Sequence, residues 1–355
     1  MAATFKEMLE ELSSRIVQGG MGVRISLSGL ASAVMAEGGL GVISLAAIGM
    51  GEPNFAKKYF EANISAAKEE IRKAREMAKG ILGVNIMVAL SDFASMVEIA
   101  IKERVDVIFS GAGLPLDLPR FLTDGSLTKL VPIISSGKAA RVLCKKWLKE
   151  FNYLPDGFVV EGPKAGGHLG FSQDEIDNPN FALEKLVTDV VQEIYPFEKE
   201  CKKEIAVIPA GGIWSGKDVE KFLCLGFPAV QMATRFVATD ECDAALPFKQ
   251  SYVDSKEGST CIIKSPVGMP GRAIRNKFIQ DTEEGGKKPD RCFCHCIKTC
   301  DPKKAPYCIS KALQNAQKGD LDEGFAFAGA NVHQVEKIVP VRELMEAIQK
   351  ERQED

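Results

Sequence analysis

A histidine set among glycines is the first place in this chain where chemistry can be read. The run Val159-Val160-Glu161-Gly162-Pro163-Lys164-Ala165-Gly166-Gly167-His168-Leu169-Gly170 ends a β-branched stretch in a glycine-rich turn that displays one imidazole. An imidazole changes charge near neutral pH, so it can take or give a proton there. Paired glycines let a backbone come close to a flat or anionic ligand. His168 is therefore read as a proton-transfer group beside a bound cofactor, at the C-terminal end of a strand, where a parallel barrel keeps its chemistry.

A second group of residues has the form of a phosphate grip. Ala210-Gly211-Gly212-Ile213 is followed by Ser215, Gly216 and a helical run, and Gln231-Met232-Ala233-Thr234 follows the next apolar stretch. The loops after the last two strands of a barrel, with a helix N-terminus, commonly hold a phosphate through backbone N–H groups. No Gly-x-Gly-x-x-Gly follows the first apolar run and there is no Walker loop, so neither a Rossmann dinucleotide fold nor an NTPase is supported.

The third group is sulfur. Of ten cysteines, Cys144, Cys201, Cys224, Cys242 and Cys261 are scattered, while Cys292, Cys294, Cys296, Cys300 and Cys308 are packed together with His295. Such a set could bind zinc or an iron–sulfur cluster. Its alternating Cys-x-Cys-x-Cys spacing is not the paired spacing of a zinc ribbon, and Pro302 and Pro306 interrupt the approach to Cys308. The cluster is read as structural or redox-labile thiols, with no metal ligand assigned and metal binding kept as the alternative. His295 and His333 are read as structural.

The elements that must position these groups follow from periodicity. Short apolar runs predict strands at Arg15–Gln18, Gly41–Ser44, Gly83–Met87, Val105–Ser110, Val131–Ser135, Gly157–Glu161, Ile205–Ala210 and Ala229–Met232. Amphipathic stretches between them predict helices at Leu27–Glu37, Ala56–Lys79, Phe93–Glu103, Gly137–Phe151, Phe181–Tyr195 and Gly216–Leu225, with a short one near the N-terminus. This alternation means an α/β fold, a TIM (β/α)8 barrel, with a smaller second domain over its C-terminal face. The expected units are 1–239 for the barrel, 240–329 for a lid carrying the cysteine cluster, and 330–355 for a helix returning to the barrel.

Composition sets outer limits. The chain has 355 residues, enough for a barrel of roughly 250 residues and a smaller unit. It is 45% hydrophobic and 26% charged with a net charge of −3, and both signs are interspersed. That balance excludes a polyanion-binding field, so no nucleic acid or membrane partner is expected. The first residues lack the apolar core of a signal peptide, and no apolar run approaches the roughly 18 residues of a membrane span. A cytoplasmic location is expected.

Six ordered segments resemble the nitronate monooxygenase family, formerly called 2-nitropropane dioxygenases, whose superfamily includes FMN-dependent bacterial enoyl-ACP reductases. They are Gln18-Gly19-Gly20-Met21-Gly22, Glu37-Gly38-Gly39-Leu40-Gly41-Val42-Ile43, Gly83-Val84-Asn85-Ile86-Met87, Ala165-Gly166-Gly167-His168, Ala210-Gly211-Gly212-Ile213 and Gln231-Met232-Ala233-Thr234-Arg235-Phe236. The resemblance implies an FMN-bearing barrel. Gly20, Met21 and Gly22 would lie against the flavin, with Asn85 and Glu161 near its ring or ribityl chain. Gly166, Gly167, Gly211, Gly212, Gln231, Met232, Ala233 and Thr234 would complete the site, and His168 matches the family's catalytic histidine. Two positions depart from the family: Glu161 stands where nitronate monooxygenases often have Gln, and Lys164 where they have an acid. Lys164 reverses a charge and would favour an anionic substrate.

The activity implied is oxidation of nitronates or nitroalkanes with dioxygen to a carbonyl product and nitrite. The alternative within the same fold is an NAD(P)H-dependent enoyl-thioester reductase; the alternative of another class is a non-catalytic flavin- or metal-binding module. Expected partners are a small-molecule substrate and dioxygen, NAD(P)H under the reductase reading, and a second copy of the chain in a homo-oligomer.

Overall fold

The computed structural model describes residues 3–53, 55–289, 292 and 294–354. Helix α1 (Phe5–Glu10) opens with a capping box in which Thr4 and Glu7 bond each other's backbone N–H groups. The barrel alternation follows as β1 (Ile16–Gln18), α2 (Ser28–Ala36), β2 (Gly41–Ser44), α3 (Tyr59–Met77), β3 (Leu82–Met87), α4 (Phe93–Lys102), β4 (Val107–Gly111), β5 (Lys129–Ile134), α5 (Gly137–Phe151) and β6 (Gly157–Glu161). After β6 come a two-residue strand β7 (Gly167–His168) and a short α6 (Gln173–Ile176). The alternation resumes with α7 (Leu183–Cys201), β8 (Ala206–Ala210), α8 (Gly216–Cys224), β9 (Val230–Met232) and α9 (Thr234–Val237).

The 8-stranded sheet runs β1-β9-β8-β6-β5-β4-β3-β2 with every pairing parallel. It closes between β1 and β2 through the parallel bridge Val17–Leu40, with Gln18 N–H on Leu40 O at 3.0 Å and Leu40 N–H on Ile16 O at 2.9 Å. Buried Gln18 reinforces this short seam, its Oε1 accepting from Val42 N–H at 3.0 Å. The strands are therefore the eight the sequence predicts, with ends shifted by two residues or fewer.

The barrel interior is apolar, built from Val17, Val42, Phe109, Val131, Val159 and Ile208. Its bottom is plugged by Phe5, Leu9 and Leu12, which the amphipathic spacing of α1 turns to one side. Burying each such side chain stabilises by about 1.5–3 kcal/mol.

Beyond β9 the chain builds a cap and then returns. Helix α10 (Leu246–Val253) leads into the antiparallel pair β10 (Thr260–Lys264) and β11 (Pro270–Ile274), followed by α11 (Lys277–Glu283) and α12 (Ile309–Gln317). Helix α13 (Val341–Gln353) packs on α8 and α2 at the barrel wall. The cap sheet has three strands in the order β10-β11-β7, so the last strand comes from the barrel's own loop. Among the described residues no helix is long and apolar enough to cross a membrane.

Candidate active site

The C-terminal ends of the strands line a slot of about 220 Å³ under the cap. Gly20, Met21 and Gly22 come from the loop after β1, Asn85 from β3, Glu161 from the end of β6 and Gln231 from β9. Gly166, Gly167 and His168 approach from the β7 loop, and Ala233 and Thr234 from the start of α9. A narrower pocket of about 60 Å³ continues from it and shares Glu161, Gly166, Gln231, Ala233 and Thr234. Lys164, Gly211, Gly212 and Met232 line only this second space. The residues that the sequence assigns to the flavin site thus border these two adjoining pockets.

Two glycines show why the cleft needs that residue type. A Cβ on Gly20 would run into the side chain of Asn85. Gly212 has φ +92°, a left-handed backbone, and a Cβ there would stand 2.9 Å from Cβ of Lys164. The narrow pocket is braced from outside: Asn331 Nδ2 donates to Gly212 O at 2.9 Å, and Gly329 N–H donates to Thr234 Oγ1 at 3.0 Å.

Burial moves the two titratable groups of the slot in opposite directions. Desolvation pushes the Glu161 carboxyl up to about 8 and pulls His168 down to about 4. Both are therefore largely uncharged near neutral pH. His168 Nε2 is 2.7 Å from Ser265 Oγ, and the ring packs on Phe327 with centroids 5.0 Å apart. Val267 N–H donates to the same serine oxygen at 3.2 Å, and the hydroxyl keeps both a proton and a second lone pair, so it can hold Nε2 in either tautomer of the ring.

Ser265 also lies on the wall of a larger cavity of about 630 Å³ inside the cap, lined by Ile262, Ile263, Met269, Phe278, Tyr307 and Phe325. Sequence reasoning missed Ser265, Phe327, Asn331 and this cavity, because the cap supplies them. The alternating small and aromatic run Phe325-Ala326-Phe327-Ala328-Gly329 was the one available signal. Lys164, expected beside the substrate, is placed with the narrow pocket and not with His168.

The parallel barrel thus carries a glycine-floored slot, a phosphate-sized recess and a histidine under a cap. The chain belongs to the nitronate monooxygenase family, whose model matches residues 4–351. It is 28% identical over 273 residues to the "(3aS,4S,5R,7aS)-5-hydroxy-7a-methyl-1-oxo-octahydro-1H-indene-4-carboxyl-CoA dehydrogenase" of Mycobacterium tuberculosis, covering 77% of this chain and 66% of that protein. It is 26% identical over 230 residues to a probable nitronate monooxygenase of Staphylococcus aureus strain Newman, covering 64% and 59%. The matched stretch thus spans under two thirds of these curated relatives. The solved structure of FabK from Thermotoga maritima is similar at a TM-score of 0.75 and 27% identity, covering 99% of this chain and 96% of that one.

Proposed function

We propose that this chain is an FMN-dependent oxidoreductase that acts on nitronates and nitroalkanes, with His168 as the proton acceptor. The observation that carries the reading is the neutral imidazole held over a glycine-floored slot, its ring oriented by Ser265. Gly20, Met21 and Gly22 would form one face of the flavin site, and Asn85 and Glu161 would meet its polar edge. A neutral Glu161 can donate a hydrogen bond that a carboxylate cannot. Gly211, Gly212 and Thr234 would hold the phosphate through N–H and hydroxyl donors, with Lys164 as the counter-charge. When bound, FMN supplies the electron transfer and the reaction with dioxygen.

The chain's own contribution is binding and proton transfer. A neutral nitroalkane in the slot would lose its α-proton to the His168 ring nitrogen that Ser265 does not engage, and the electron pair stays on the substrate as the nitronate. The Ser265 hydroxyl accepts from Nε2–H and holds the ring throughout. A substrate supplied as the nitronate needs no such step.

A second reading is favoured by the cap cavity. An apolar space of about 630 Å³ beside Ser265 is far larger than a small nitroalkane needs and suits the acyl part of a thioester. The name of the Mycobacterium tuberculosis relative, a carboxyl-CoA dehydrogenase, agrees with that substrate class. In this reading NADH or NADPH reduces the flavin. Anaerobic flavin absorbance separates the two: bleaching by a nitronate and not by NADH or NADPH supports the first, and rapid bleaching by a pyridine nucleotide replaces it with the second.

A further inference from the structure

We propose that Cys292, Cys296, Cys300 and Cys308 form a four-thiolate site for an iron–sulfur cluster at the edge of the cap. The alternating spacing that argued against metal depends on Cys294. Cys292, Cys296, Cys300 and Cys308 line one small pocket, whereas Cys294 is outside that lining and meets the Cys296 thiol from beside it. The working spacing is then Cys-x3-Cys-x3-Cys-x7-Cys, one thiol from each of four successive turns of chain.

Each thiol is delivered by its own anchor. His295 takes a left-handed backbone, φ 42°, which bends the chain between Cys292 and Cys296, and its N–H donates to Cys292 Sγ at 3.3 Å. N–H groups aimed at ligand sulfurs are a usual feature of cluster sites. Cys296 is fixed by the bridge Leu90–Ile297 and by Ser91 N–H on its carbonyl at 3.0 Å. Cys300 N–H bonds Ile297 O at 3.2 Å, and Thr299 Oγ1 donates to Val267 O at 3.0 Å.

The seven residues before Cys308 do not carry it away. Lys304 and Ala305 both bond Asp301 O, so the segment with Pro302 and Pro306 turns back on itself. Cys308 then sits at the N-cap of α12.

Two further observations point to a ligand of this size and kind. Tyr307 lines the same pocket, and its hydroxyl is buried without a hydrogen-bond partner. A cluster sulfide offers an acceptor of the sort it lacks. Among the described residues no three His, Cys, Asp or Glu groups are set to hold a single ion, so the site is assigned to a cluster and not to one zinc. Sulfurs around a cluster core stand farther apart than those around one zinc. Loading removes four thiol protons and adds the preformed iron–sulfide core, with no oxidation of the protein.

The site does not depend on the proposed substrate, and it is tested on full-length protein purified without oxygen. Iron, acid-labile sulfide, zinc and flavin are measured on the same sample, so cluster and flavin are scored separately. The expected result is about four iron and four sulfide per chain. In the Cys300→Ser/Cys308→Ser double variant, iron should fall at least tenfold while flavin stays bound. Cys294→Ser and Cys201→Ser should keep their iron. The proposal is overturned by iron and sulfide near zero in the wild-type protein, by about one zinc in their place, or by iron loss in Cys294→Ser equal to that in the double variant. If the double variant does not fold, the wild-type iron and sulfide content still decides.

Discussion

His168 and Glu161 share one slot and lose their charges from opposite sides, which gives the site a pH signature. Glu161 rises from an ordinary 4.5 to about 8, so between those values the folded protein keeps a proton that the unfolded chain has lost, and stability falls as pH rises. His168 drops from 6.5 to about 4, so across that window the unfolded chain holds the extra proton, and stability rises with pH. The two oppose each other where they overlap. Of these two groups only Glu161 acts from about 6.5 to 8, with a slope of at most about 1.4 kcal/mol per pH unit. Urea unfolding of flavin-free protein should show that fall in the wild type and a flat profile in Glu161→Gln. His168→Ala should retain flavin and nitronate turnover but lose about 100-fold or more in kcat/KM for a neutral nitroalkane. Equal turnover of both substrates by the variant would remove His168 from the proton step. Gly212→Glu should expel the flavin, because its side chain must enter a strained backbone position against Lys164 and place an anion where the phosphate would sit; flavin retained at wild-type stoichiometry would sink that grip.

At the scale of elements, the barrel strands were legible because their β-branched runs end in glycine turns, and the helices because Ser136, Ser215 and Asp218 give local start signals. The misreadings have physical causes. Helix α7 was expected to stop at Tyr195, before Pro196, yet it runs to Cys201. A proline removes one helical hydrogen bond, and the packing of α7 along α5 and β8 outweighs that loss. Helix α2 begins at Ser28 without a local cap; Asp243, more than two hundred residues away, accepts from Leu27 N–H at 2.8 Å and Leu30 N–H at 3.2 Å. No local pattern could reveal that partner. Asp243→Ala should cost about 1–2 kcal/mol in urea unfolding, and Asp243→Asn should recover most of it because an amide oxygen still accepts. The candidate site was legible in the same uneven way, with the floor visible in strand-end glycines and the roof hidden in the irregular cap.

For the whole molecule, the join between barrel and cap is where sequence says least and function depends most. Arg272 on β11 donates from Nη2 to Pro163 O at 3.0 Å, fastening the cap to the turn that leads into His168. Burial lowers the pKa of its guanidinium, so the contact is held in a largely desolvated place. Arg272→Ala should leave flavin bound, speed proteolysis within the cap and lower kcat about tenfold through misplacement of the base; an unchanged kcat with faster proteolysis would confine Arg272 to fastening. The ladder itself carries the larger consequence. His168 pairs with Gly271 and Gly167 with Arg272, so the proposed base is part of the cap's sheet while the proposed flavin floor belongs to the barrel. Lifting the cap to admit substrate must either break that ladder or carry the imidazole away from the slot. With His168 as the proposed base, that pairing is an interlock: an open cleft would lack its base, and proton transfer would be withheld until the substrate is enclosed.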